Sequence, residues 1–150
     1  MNKYEIEEEI SQAIQHGLNN LVKHSVTTLD VDLSWRNNFF IVKSVIENNV
    51  DLIDFFLSKG FQPNFNNNEA FEIAARNNYE NIIDKFYDYD NTDPSDNNNL
   101  AIITAYKQGY FDLVFKLFKY KEVKESLQKD DDILYNNLLK QATKENILHF

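Results

Sequence analysis

A glycine or asparagine returns along this chain at nearly constant intervals, each time at the end of the same kind of apolar-periodic segment. Gly17, Asn48, Asn78, Gly109 and Asn146 are separated by 31, 30, 31 and 37 residues. They close the stretches Ala13-Ile14-Gln15-His16-Gly17, Ser44-Val45-Ile46-Glu47-Asn48, Ala74-Ala75-Arg76-Asn77-Asn78, Ala105-Tyr106-Lys107-Gln108-Gly109 and Ala142-Thr143-Lys144-Glu145-Asn146. Gly and Asn enter left-handed backbone conformation at low cost, so each ends one helix and turns the chain into the next. A self-similar unit of about thirty residues is the signature of a stacked repeat protein. The spacing predicts an all-α chain of antiparallel helix pairs joined by short turns, and it biases function toward binding.

Each unit carries two apolar stripes at helical spacing. In the third unit these are Phe71, Ala74 and Ala75, then Ile82, Ile83 and Phe86. The fourth repeats them as Ile102, Ala105, Leu113, Val114 and Leu117. The second has Phe40, Leu52, Ile53, Phe56 and Leu57, and the first has Ile10, Ala13, Leu21 and Val22. The small residue at Ala13, Ser44, Ala74, Ala105 and Ala142 lets the two helices of a pair approach closely. One pair cannot bury both stripes, so neighbouring units must stack.

The connectors repeat as well. Gly60 is followed by Phe61-Gln62-Pro63-Asn64-Phe65 and Asn66-Asn67-Asn68, and one period later Asp93-Pro94-Ser95-Asp96 leads into Asn97-Asn98-Asn99. Pro followed by Asn or Ser favours a turn, and Asn ahead of a helix is expected to cap its free N–H groups. The first connector, Thr27 to Trp35, alternates around Leu29, Val31 and Leu33, which predicts extended structure.

With these features the unit resembles the ankyrin repeat. Asn48 through Gly60 with Gln62-Pro63-Asn64 looks like that family's second helix and its exit, and Ala74-Ala75-Arg76-Asn77-Asn78 like its first-helix ending. The resemblance runs from about Glu5 to Phe150. It implies an ankyrin-like helical repeat solenoid, a single domain of units 3–35, 36–66, 67–97 and 98–128 with a C-terminal cap at 129–150. The chain departs from the family in lacking the Thr-Pro-Leu-His helix start, in having shortened turns, and in an insertion around Lys121–Asp130. The last outer helix is expected to be missing.

Composition narrows the function. Three Gly and two Pro leave no flexible linker, and 43% hydrophobic with 14% aromatic content argues against disorder. No apolar run is long enough for a membrane span, no signal-peptide order is present, and zero cysteines exclude disulfides. A cytoplasmic protein without membrane partners is expected. The net charge of −9, with no Lys/Arg run, argues against direct nucleic-acid binding. It suits a basic protein partner, and it also serves solubility.

The residues offer little catalysis. His16, His24 and His149 lack the spacing of a zinc site, so no metal is expected; His16 fits a helix end, where imidazole meets free carbonyls. Phosphate loops and nucleophile elbows are absent, so neither a cofactor nor an enzymatic activity is expected. The clusters Glu7-Glu8-Glu9, Asp88/Asp90/Asp93/Asp96 and Asp130-Asp131-Asp132 read as solvated charge at helix starts and turns.

Aromatic residues are the stronger lead, since twelve Phe, eight Tyr and one Trp exceed what short helix pairs need inside. Phe61 and Phe65 are expected to staple neighbouring turns. Trp35, Arg36, Tyr87 and Tyr89, with Asp88, Asp90, Asp93 and Asp96, form a candidate partner-binding strip of aromatic and acidic side chains. The expectation is a non-catalytic protein-binding module: a small acidic stoichiometric inhibitor or immunity-type protein that neutralises a basic partner, such as a toxin or a nucleic-acid-binding protein. The alternative is a viral anti-defence protein that mimics nucleic acid against a DNA-binding enzyme.

Overall fold

A computed structural model describes residues 1–89 and 92–144, the side chains of residues 35–37 excepted. Among the described residues there are ten α-helices and no strand. They are α1 (Lys3–Gln15), α2 (Asn19–Thr28), α3 (Trp35–Ile46), α4 (Val50–Ser58), α5 (Phe65–Arg76), α6 (Glu80–Tyr87), α7 (Asp96–Gln108), α8 (Phe111–Phe118), α9 (Lys121–Asp130) and α10 (Asp132–Lys144). The odd-numbered helices touch in succession, α1 to α3 to α5 to α7 to α9, and each is backed by the even-numbered helix that follows it. None of the ten is long and apolar enough to cross a membrane.

The recurring Gly/Asn closes the first helix of four pairs by one hydrogen-bond pattern. Gly17, Asn48, Asn78 and Gly109 have φ of +68°, +51°, +59° and +77°. The residue after each donates its N–H back to the carbonyl of Ala13, Ser44, Ala74 or Ala105, at 2.9, 2.8, 2.9 and 3.0 Å. This six-to-one bond satisfies a carbonyl that the helix end would leave open. The small residue that accepts it is buried at every copy, so one position serves both the closure of the helix and its approach to its partner.

The asparagine runs do something other than cap. Asn66, Asn67 and Asn68 have φ of +53°, +57° and +64°, and Asn97, Asn98 and Asn99 have +54°, +57° and +62°. α5 and α7 thus begin with a left-handed turn, closed by Asn68 N–H to Asn64 C=O at 3.1 Å and Asn99 N–H to Ser95 C=O at 2.9 Å. Left-handed backbone costs an L-residue roughly 1–2 kcal/mol, and Asn is the side chain that tolerates it best. Neither Asn64 nor Ser95 caps the helix it precedes with its side chain. Asn68 instead donates Nδ2 to the Asp93 carbonyl at 3.2 Å, and Asn99 donates to Ser126 Oγ at 2.8 Å, so each ties its helix to the next unit.

Counted along the period, Glu7, Asn38, Asn68 and Asn99 occupy one place, and all four are buried. At Glu7 (1% exposed) the amide is replaced by a carboxylate that makes no hydrogen bond among the described residues. Lys3 Nζ, 3.9 Å from both Glu7 and Asp32, is the ionic partner of each.

The predicted stripes form one core, except that Leu21 of the first unit stays exposed. Phe40, Phe56, Phe71, Phe86 and Phe118 are fully buried, with Leu52, Ile53, Ile82, Ile83, Ile102 and Leu113 among them. Phe61 is buried as expected, and Phe65 meets it edge-on at 5.9 Å while staying 43% exposed. Two further expectations fail. Thr27 and Thr28 end α2 and no strand follows, because Leu29 to Ser34 turn directly into α3. The segment Lys121–Asp130 is the helix α9, not an insertion: Val123 and Leu127 bury against α7 and α8, and α10 backs α9 as its second helix. Ala142 therefore lies on a second helix, and its likeness to Ala13 or Ala105 is out of register. Asn146, which suggested the longer last interval, lies outside the described residues.

Candidate protein-binding edge

α6 buries Ile82, Ile83 and Phe86 on one stripe. Tyr87 follows Phe86 by one residue, about 100° around the helix, and so leaves the core half-buried. Its ring stacks on Tyr120, with centroids 3.8 Å apart and planes 18° from parallel. Tyr120 precedes α9 and stands one period after Tyr89, so the stack joins the third unit to the end of the fourth. The Tyr87 hydroxyl donates to Glu122 Oε2 at 3.2 Å.

Acidic groups ring this pair. Burial first, then the charges of Asp84, Tyr87 and Asp88, push the Tyr120 phenol far above its ordinary range. Tyr87 is raised as well, by burial and then by the Glu122 carboxylate. Asp88 stands exposed where α6 ends. Of the expected residues, Tyr87 and Asp88 stand together here, beside Asp84 of the same helix and Tyr120 and Glu122 from the start of α9.

Other expected members serve the backbone. Tyr89 folds back against the core, half-buried. Asp93 Oδ1 accepts from the Ser95 N–H at 2.9 Å and the Ser95 hydroxyl at 2.6 Å, and its carbonyl accepts from Asn68. Asp32 and Ser34 form the same turn ahead of α3. Asp96 opens α7, and its carboxyl is raised by burial and then by the Asp93 charge. Trp35 and Arg36 open α3, on the connector two units upstream. Their side chains, and Asp90, lie outside the described residues.

Along the second helices, lysines pair with acids one unit away: Lys23 with Asp51 at 2.7 Å, Lys85 with Asp54 at 2.9 Å and Lys116 with Asp84 at 2.8 Å. Such exposed pairs contribute less than about 1 kcal/mol each, but they neutralise the carboxylates they hold. Between Asp88 and Asp96 the sequence has four Asp and no Lys or Arg, so negative charge gathers at this connector.

The two raised phenols give a pH signature. A neutral tyrosine is favoured in the folded protein, so this contribution to stability is whole below the ordinary tyrosine value near 10. It is lost as pH rises from there through the higher folded values. Ultraviolet titration should show a late tyrosine component, from Tyr87 and Tyr120, that unfolds the chain. Tyr120→Phe should remove the latest part and shift alkaline unfolding to higher pH. An unchanged alkaline limit would show that Tyr120 does not control it.

The arrangement presents aromatic area beside Asp88 and Glu122, with Lys116 and Lys119 lining the same depression as Tyr120. Compared with family models, with curated proteins and with solved structures, the chain gives no match.

Proposed function

We propose that this chain is a non-catalytic protein-binding module, an ankyrin-like solenoid of degenerate repeats that holds a basic partner protein along its connector edge. The observation that carries the reading is the Tyr87–Tyr120 stack with Asp88 exposed beside it and Glu122 bonded to it, next to a connector rich in Asp and free of cations. Tyrosine anchors bury large area with few torsions to freeze, and a negative surround speeds encounter with a positive partner. The row of first helices backed by second helices, closed at one repeated Gly/Asn position, supports the repeat assignment. A small acidic binder of this kind suits a stoichiometric inhibitor or an immunity-type protein that neutralises a toxin.

Mimicry of nucleic acid is less well supported. It requires unbroken rows of carboxylates, whereas Asp51, Asp54 and Asp84 are each held by a lysine of a neighbouring unit.

Affinity capture from the native host, with mass-spectrometric identification, supplies the partner. Binding should weaken from low salt to about 0.5 M, where screening falls to a few ångström. Asp88→Lys combined with Glu122→Lys should weaken it at least about tenfold. Asp93 is unsuitable for this test because it builds the turn ahead of α7. Salt-insensitive binding that survives the double reversal would overturn the acidic-edge reading.

A further inference from the structure

The first helix pair exposes a face that the next three pairs keep covered. Leu21 on α2 is 52% exposed, whereas Leu52, Ile82 and Leu113, which hold the same place in the next three units, are 0% exposed. Those three have a preceding pair to pack on, and Leu21 has none among the described residues. Leu18 and Leu29 are about as exposed as Leu21. The place taken by the buried Phe56, Phe86 and Leu117 holds only Ser25 in the first unit, which leaves a hollow.

Two adjoining depressions, about 210 and 530 Å³ in volume, share Glu9, Ala13 and Leu21 and together make a groove along α1 and α2. Its floor is apolar and its α1 rim is acidic. Glu5, Glu8 and Glu9 line the larger depression, and no lysine or arginine lines either one. At Glu9 the later units carry the buried apolar residues Phe40, Ala70 and Ala101. The surface therefore keeps the leucines of an interior and adds three carboxylates along the α1 edge.

We infer that this groove is a second docking surface, and that it takes an amphipathic helix of a partner protein with apolar side chains on one face and Lys or Arg flanking them. A helix fits because the equivalent faces of α3, α5 and α7 receive a helix from the preceding unit. The 13 residues of α1 offer a track about 20 Å long at 1.5 Å per residue, enough for three turns. The basic flank follows from the rim. A second copy of this chain would bring another body of charge −9 to an acidic edge, which opposes self-association. The groove is distinct from the connector edge, so the two readings fail independently.

The test uses the full chain and two fluorescently labelled synthetic helices, one with leucines on one face flanked by lysines, the other with glutamates in place of the lysines. Anisotropy titration should show the lysine helix binding at least about tenfold tighter than the glutamate helix, with an advantage that shrinks as salt rises. Leu21→Asn should weaken it about tenfold or more, as expected for an anchor at a groove centre. Ser25→Phe, which fills the hollow with the side chain later units carry, should block it. Both positions are at least partly exposed, and unchanged circular dichroism confirms the fold. Asp88→Lys should leave this binding intact. Failure of the lysine helix to bind, equal binding of the two helices, or binding that survives both groove substitutions overturns the proposal. A dimer in sedimentation that Leu21→Asn dissociates also overturns it, by assigning the groove to a second copy.

Discussion

Phe56→Ala is expected to remove about 3–5 kcal/mol of folding stability, the range for truncating a buried aromatic. Phe56 is fully buried on α4, stacked on Phe40 of α3 at 6.3 Å and edge-on to Phe55 at 5.4 Å. Alanine forfeits the transfer free energy of the ring and leaves a hole that helices fixed by their neighbours cannot close. A domain of this size has about 5–15 kcal/mol in total, so the variant retains a fraction of it. Urea unfolding followed by circular dichroism measures the loss, and a broadened transition would show that the stack parts at the second unit. Phe65→Ala, at a ring 43% exposed, is the comparison and should cost less than about 1.5 kcal/mol. Equal losses at the two positions would contradict the packing described.

Asn68→Val should cost about 2–4 kcal/mol, from two separable causes. The backbone at φ +64° suits a β-branched side chain poorly, by roughly 1–2 kcal/mol. Loss of the Nδ2 donor leaves the Asp93 carbonyl without that bond, worth about 1–2 kcal/mol more. Asn68→Gly separates them, because glycine accepts the left-handed backbone and removes only the bond. The expected order of stability is Asn above Gly above Val, read from denaturant midpoints. A glycine variant as stable as the parent would show that Asn68 matters only for its backbone.

Much of the fold was legible because it depends on periodicity. The interval between Gly17, Asn48, Asn78 and Gly109 locates four helix ends, and the apolar positions counted from them are buried, Leu21 of the first unit excepted. The last unit is hard to read in sequence because Ala142, which lies on a second helix, and Asn146 repeat the spacing of that ending, while Val123 and Leu127 are too few to announce α9 against its Lys- and Glu-rich remainder. The left-handed turns were hidden for a different reason. Asn caps helices and also tolerates positive φ, and sequence alone does not choose between these roles. At the connector edge Tyr87 and Asp88 were visible as local composition, but the Tyr87–Tyr120 stack joins side chains 33 residues apart. Asp93 looked like surface charge because a turn-forming carboxylate and a solvated one share the same residue type.

The row of first helices, each touching the next, gives the chain a unit of growth. Residues 65–95 run from the start of α5 to the residue before α7, a complete helix pair with the connector that follows it. Both ends of that segment meet surfaces of the same kind, so a second copy spliced in tandem would find its neighbours ready-made. It would lengthen the row by about 8–10 Å, the spacing of packed helices. The length of the row is thus adjustable by duplication, without redesign of any interface.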